Sequence, residues 1–217
     1  MRPQEERLVR IPADSVELEG SLEIPAGAQG VVIFAHGSGS SRHSPRNQSV
    51  AHVLRRSGLA TLLVDLLTEA EEAVDLRTGH LRFDIGFLAG RLGHVSTWLQ
   101  QHPHAGTLRL GYFGSSTGAA AALVAAAERP DAVHAVVSRG GRPDLASDAL
   151  TRVRAPTLLI VGGDDVEVLE LNRDALDRLQ CEKNLAVIPG ATHLFEEPGT
   201  LDQVAAYAAE WFKRFLG

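Results

Sequence analysis

The sequence predicts an α/β layered domain: a mostly parallel sheet of about eight strands with helices on both faces. Three observations carry this. Short apolar runs alternate with helical stretches along the chain. From the third run onward they are continuously apolar, as strands buried on both faces of a parallel sheet are. The loops that follow them are rich in glycine, hydroxyl and charged residues, and such loops at the carboxyl ends of strands are where sheets of this class gather ligands.

Taken in order, "RLVRI" (7–11) and "VELEGSLEI" (16–24) read as an initial antiparallel pair, with a tight turn at Glu19-Gly20. "VVIFAH" (31–36) is the first fully buried strand, and the helix "NQSVAHVLRRSG" after it stops at Gly58. "ATLLVDL" (60–66) leads into one long irregular connection, Leu67 to Leu81, whose acidic part "TEAEEAVD" (Thr68 to Asp75) reads as a solvated loop or helix face. A long helical stretch, "FDIGFLAGRLGHVSTWLQQH", precedes the strand "LRLGYFG" (108–114). The alanine-rich helix "STGAAAALVAAAERP" then closes at Pro130. The strands "AVHAVVS" (132–138), "PTLLIVG" (156–162) and "NLAVI" (184–188) follow, with helices "LELNRDALDRLQ" and "LDQVAAYAAEWFKRFL" after the last two. No linker interrupts the alternation, so residues 1–217 are expected to form a single domain.

Composition narrows the function classes. The 217 residues are 44% hydrophobic and 22% charged, with a formal net charge of −6 and basic residues scattered among acidic ones. Nucleic acid is not an expected partner. The single cysteine, Cys181, has no internal partner, and "MRPQEERLVR" lacks a signal-peptide core; both fit a reducing, cytoplasmic setting. No apolar stretch reaches the length of a membrane span.

The loops hold the candidate chemistry. "GYFGSSTGAA" (111–120) puts Gly114-Ser115-Ser116-Thr117-Gly118 between a strand and a helix, the context in which G-x-S-x-G has mechanical meaning. A sharp turn there exposes the Ser116 hydroxyl at a helix N-terminus, and the Thr117 amide points toward a forming oxyanion. Ser115 and Thr117 are otherwise positional. The competing reading of Ser116 is a simple helix cap. A serine nucleophile needs a base. Of nine histidines, His52 and His94 fall in helical patterns, His102 and His104 flank a proline, and His134 lies in a strand; His36 suits a structural hydrogen bond. His193, in "PGATHLF" between the last strand and the last helix, is the candidate base. "GGDD" supplies the carboxylate that orients it: Asp165 is preferred and Asp164 is a turn or cap residue, with Asp144 a distant option. "HGSG" (36–39) offers the Ser38 amide as a second oxyanion donor, with Gly37 bordering a bound substrate. No Walker pattern, H-E-x-x-H or paired-cysteine spacing is present, so neither a nucleotide nor a metal is implied and no cofactor is expected.

The segments "FAHGSGSS", "GYFGSSTGAAAAL", "VVSRGGRPDLA", "LLIVGGDD" and "PGATHLFEEPG" resemble the dienelactone hydrolase-like group of the α/β-hydrolase superfamily, from about residue 8 onward. The resemblance implies the α/β-hydrolase fold, Ser116 as nucleophile, His193 as base, Asp165 as acid, and Ser38 and Thr117 as oxyanion donors. Dienelactone hydrolases proper carry a cysteine nucleophile; the serine here favours general ester hydrolysis of small substrates. Lactones, thioesters and phosphotriesters are the alternatives on the same site, and a non-catalytic ligand-binding module is the alternative of another class. The stretch between Ser138 and Thr157 is too short for a large cap domain, so an open site is expected, edged by Leu67 to Leu81 as a small lid or plain surface loop. Arg139 and Arg142 are possible substrate-carboxylate contacts. Monomer and homodimer are both left open.

Overall fold

The computed structural model describes residues 7–37 and 39–217. Eight strands form one sheet in the order β1-β2-β4-β3-β5-β6-β7-β8. They are β1 Arg7–Ala13, β2 Val16–Glu23, β3 Gly30–Ala35, β4 Leu59–Val64, β5 Arg109–Ser115, β6 Val133–Arg139, β7 Thr157–Gly162 and β8 Lys183–Ile188. β1 and β2 are antiparallel to each other and β2 is antiparallel to β4, whereas β3 to β8 run parallel.

All eight expected strands are present. The first turn is not where the sequence placed it. β1 pairs with β2 with Ala13 opposite Val16, so the chain reverses at Asp14-Ser15, and Glu19-Gly20 lies inside β2. Asp14 takes a positive φ of 54°, a conformation aspartate tolerates better than most residues. Gly20 is small for packing instead: a Cβ there would lie 3.0 Å from Leu62 Cδ1 and 3.2 Å from Leu63 O of β4.

Among the described residues, six α-helices flank the sheet: α1 Pro45–Arg56, α2 Glu69–Thr78, α3 Ile85–Gln100, α4 Thr117–Glu128, α5 Val166–Arg178 and α6 Thr200–Leu216. Alternate residues of each central strand point to opposite faces, so each strand feeds two cores. Val31, Ile33 and Tyr112 join Leu88, Leu92 and Val95 of α3 and the alanines of α4 on one face. Val32, Phe34 and Phe113 join Val50 and Leu54 of α1 and Val204, Trp211 and Phe212 of α6 on the other. Each large apolar side chain buried this way contributes about 1.5–3 kcal/mol. Almost every residue of α4 is buried, as expected of a helix that is apolar all round. Its alanines let it lie close to both sheet and α3.

The connection from Leu67 to Leu81 is not irregular. Most of it is α2, opened by a capping box in which the Thr68 hydroxyl accepts from Glu71 N and the Glu71 carboxylate accepts from Thr68 N at 2.8 Å, and closed by Gly79 in the left-handed conformation. A short 3₁₀ turn, Leu81–Phe83, follows. Buried Asp75 ties the two together, accepting from Leu81 N and Arg82 Nε, each at 2.6 Å. Between β6 and β7 the chain holds only a distorted 3₁₀ segment, Pro143–Arg152, and no cap domain. Among the described residues, no helix is long and apolar enough to cross a membrane.

Candidate active site

The strand order reverses between β3 and β5: the chain leaves β3 toward β4 and returns past it to β5. Ligands bind at such switch points, outside the carboxyl ends of the strands. The loops that carry His36, Ser116, Arg139, Asp165 and His193 all lie at that end of the sheet.

Ser116 sits between β5 and α4 with φ 50° and ψ −124°, a strained conformation for a residue with a side chain, costing about 1–3 kcal/mol. It is held there from three sides. Its N–H donates to Arg139 O at 3.4 Å, and its carbonyl accepts from Ala119 N and Arg142 N, each at 3.1 Å. The flanking glycines are small because backbone crosses them: a Cβ on Gly114 would lie 2.4 Å from Ala119 Cα, and one on Gly118 would lie 2.3 Å from Ala35 O. The Ser116 side chain makes no capping hydrogen bond. Thr117 opens α4 at its positive end.

The β3–α1 loop approaches this turn from the other side. A Cβ on Gly37 would be 2.8 Å from Ser116 Cβ and 3.0 Å from Ser115 O, so Gly37 lets the two loops meet. The loop is anchored to the end of β4: Arg42 N donates to Asp65 Oδ1 at 2.6 Å, the Arg42 side chain pairs with both Asp65 and Glu19, and His36 Nε2 accepts from Leu66 N at 3.2 Å. His36 thus has the structural role expected of it. Ser38 lies outside the described residues.

His193 and Asp165 are brought together. His193 Nδ1 donates to Asp165 Oδ2 at 2.7 Å, a charge-assisted distance. Asp165 occupies the N-cap position of α5 but makes no side-chain cap bond; its carboxylate is turned to the imidazole instead. Asp164 is exposed, with its N–H donating to Ala191 O at 3.0 Å. The loop carrying His193 can pass over β7 because Gly162 has no side chain: a Cβ there would meet Ala191 O at 2.3 Å. Downstream, Thr192 Oγ1 donates to Glu197 Oε1 at 2.5 Å, and that bond holds the Glu197 carboxyl below its usual pKa.

A cleft of about 570 Å³, open to solvent, collects Gly37, Ser116, Arg139 and His193, together with Ser44, Arg46 and Leu194. A second, narrower cleft lies across Gly37 and is lined by Leu66, Leu67 and Leu88, by Thr117, and by Glu72 and Asp75 of α2. Residues of the segment from Leu67 to Leu81 thus line this second cleft, and none of them is among the residues lining the cleft of Ser116 and His193. The two candidate arginines part company. Arg139 is buried and faces the first cleft, whereas Arg142 is tied to Asp144 by paired bonds of 2.9 and 2.8 Å and is not among the residues lining that cleft. Asp144 is thereby engaged away from His193. Sequence reasoning missed Arg46, placed at the cleft by the first turn of α1.

Strand order and loop placement define the α/β-hydrolase fold. The dienelactone hydrolase family model matches residues 18–216, and the chain belongs to that family. It is 61% identical to the dienelactone hydrolase from Anabaena variabilis ATCC 29413 seen in a crystal structure, with 99% of each chain covered and a TM-score of 0.97. It is 56% identical over 210 residues, 97% of this chain, to a Mycobacterium tuberculosis (strain ATCC 25618 / H37Rv) protein whose name provisionally makes it a phosphoribosyl transferase. The chain spans about half, 46%, of that relative's length. The fold is also that of a Xanthomonas campestris protein described as an α/β serine hydrolase without lid, at 22% identity and a TM-score of 0.78, with 100% of this chain and 97% of that one covered.

Proposed function

We propose that this hydrolase cleaves carboxylic esters of small substrates through Ser116, His193 and Asp165, with water as the final acceptor and no cofactor. The observation that carries the reading is the 2.7 Å bond between His193 Nδ1 and Asp165 Oδ2 at a cleft that Ser116 also lines. With Nδ1–H committed to the carboxylate, Nε2 is left as the proton acceptor.

Ser116 Oγ attacks the ester carbonyl carbon as its proton passes to Nε2. The carbonyl π pair moves to oxygen, where the Thr117 amide at the head of α4 stabilises it; the Ser38 amide is the second donor expected from the sequence. A single donor of this kind is worth about 100- to 1,000-fold. The imidazolium then protonates the leaving alkoxide, and its charge is balanced by Asp165. Water, deprotonated by His193, attacks the acyl carbon; the bond to Ser116 Oγ then breaks, the carboxylic acid leaves, and the imidazolium returns its proton to Oγ.

We take the transferase name of the mycobacterial relative to describe the remainder of that longer protein, because the stretch shared with this chain is the one the hydrolase family model covers.

The test is intact mass after exposure to a fluorophosphonate, on wild type and Ser116→Ala, with 4-nitrophenyl acetate and butyrate turnover alongside. One adduct on wild type, none on the variant, and parallel loss of turnover is the expected result. A folded wild type that neither labels nor turns over any ester overturns the reading.

A further inference from the structure

Asn172 is the polar member of the buried face of α5, beside Val168, Leu169 and Ala175, and none of its surface is exposed. Stability does not explain it there. Asparagine forms helix less readily than leucine, a side chain of similar size, and its Oδ1 is buried without a partner among the described residues, a position an apolar side chain would leave without cost. What the side chain does is donate. Nδ2 gives one hydrogen to Val168 O at 2.8 Å, one turn back, and the other to Gly141 O at 2.9 Å, in the loop after β6. Two carbonyls facing one terminal atom identify that atom as the nitrogen.

The Gly141 carbonyl belongs to the same peptide unit as the Arg142 N–H, and that N–H donates to Ser116 O at 3.1 Å. Asn172, the Gly141–Arg142 peptide and the Ser116 carbonyl therefore form one chain of hydrogen bonds, each polarising the next. The peptide in the middle has little hold of its own. Gly140 takes a positive φ of 51°, and Gly141 has no side chain because a Cβ there would stand 2.0 Å from Ser138 Oγ and 2.6 Å from Ala119 Cβ. Two adjacent glycines turn easily, so the plane of the peptide after them is set from outside. Ser116 depends on that plane, since its φ of 50° persists only where the surroundings over-determine it. The other end of the chain of bonds is equally fixed. α5 starts at Asp165, about 10 Å along the helix from Asn172, and Asp165 holds His193 Nδ1 at 2.7 Å.

We propose that Asn172 is a positioning residue for the hydrolysis: through the Gly141–Arg142 peptide it fixes the Ser116 turn relative to the helix that carries Asp165. It does not line the cleft and does not touch the substrate. The proposal rests on the reading of Ser116 as nucleophile and Asp165 as the partner of His193.

The experiment uses two variants. Asn172→Leu keeps the size and the burial and removes both donors. Asn172→Ser keeps the bond to Val168 O, because a hydroxyl on Cβ bonds four residues back, and stops short of Gly141 O; it is also the second protein should the leucine overpack. Both are expected to lower kcat for 4-nitrophenyl acetate, and the rate of fluorophosphonate labelling, by about tenfold or more. KM should stay within about threefold, and the pH midpoint of kcat/KM set by His193 should not move, because its bond to Asp165 is untouched. Amide exchange by NMR gives a readout without turnover: the Arg142 N–H is expected to exchange about tenfold or more faster in both variants, with the amides of β5 unchanged. A purely structural role would lower Tm alone. Folded variants with kcat and labelling within about threefold of wild type, or with Arg142 exchange unchanged, overturn the proposal and leave the ester-hydrolase reading intact. A serine variant as active as wild type beside a slow leucine variant also overturns it, by placing the effect in the bond to Val168. Faster Arg142 exchange in variants of a wild type that turns over no ester overturns the hydrolase reading and the role built on it.

Discussion

Replacing Gly37 by alanine isolates how Ser116 is held. The added Cβ would stand 2.8 Å from Ser116 Cβ and 3.0 Å from Ser115 O. Carbon atoms in contact sit about 3.5–4.0 Å apart, so one loop must yield by about 1 Å. The Gly37 loop is clamped at Arg42 to Asp65 and at His36 to Leu66, while the Ser116 turn already sits at a strained φ. The displacement therefore falls at least in part on Ser116. A shift of that size in a reacting group costs about 100-fold in rate, or about 2.7 kcal/mol on the barrier. Overpacking costs about 1–3 kcal/mol of stability, within the roughly 5–15 kcal/mol typical of a folded domain, so the variant is expected to fold. The assay is kcat/KM for 4-nitrophenyl acetate with the second-order rate of fluorophosphonate labelling, set against Tm. Gly90→Ala is the control: Gly90 is exposed on α3 with nothing within 4 Å of where the added methyl carbon would stand, and alanine there is expected to raise stability by about 0.5–1 kcal/mol with turnover unchanged. A folded Gly37→Ala protein whose turnover and labelling stay within about threefold of wild type, under about 1 kcal/mol, would refute the reasoning.

Asp165→Asn is expected to lower kcat by about a thousandfold to ten-thousandfold, because the amide no longer fixes the imidazole tautomer or balances its charge; Asp164→Asn, exposed and away from His193, should stay within about threefold, and steady-state kinetics on the two decide between the adjacent carboxyls. Burial pushes the Tyr112 hydroxyl up to about 12 despite its 2.6 Å bond to Ser96. A folded pKa above the unfolded value of about 10 means stability is full below about pH 10 and is lost as pH rises toward about 12, by about 3 kcal/mol relative to Tyr112→Phe; urea unfolding of both proteins across that window measures it. Thr68→Ala removes one half of the capping box on α2 and is expected to cost about 1 kcal/mol locally, read as faster amide exchange in Glu69–Thr78 with the exchange of α4 unchanged.

The strands were legible because a parallel sheet buried on both faces demands continuous apolar runs, and "VVIFA" or "TLLIVG" have no other use. The Ser116, Asp165 and His193 positions were legible because each falls in a loop that the alternation pins to one end of the sheet. Where reading failed, a residue's local signal and its tertiary use differed. Gly20 has the look of a turn, yet it is a glycine because β4 passes against it, while the real turn at Asp14 carries a side chain that tolerates positive φ. In α2 no apolar residue is buried, so helical periodicity was absent, and only Thr68, Glu71 and Gly79 marked its ends.

Arg46 shows what a finer reading of the sequence can extract. "SPRNQ" has a serine N-cap and a proline at the first helical position, so the start of α1 is legible; the first turn that follows holds an arginine and no acid. A cation there opposes the helix dipole and costs about a few tenths of a kcal/mol, a choice that helix stability alone does not explain. Arg139 sends a similar signal, an arginine at the buried end of an apolar strand. Each oddity alone has bland explanations, since arginines often bind loop carbonyls. Only the fold brings the two into one cleft, where Arg139 takes no carboxylate among the described residues.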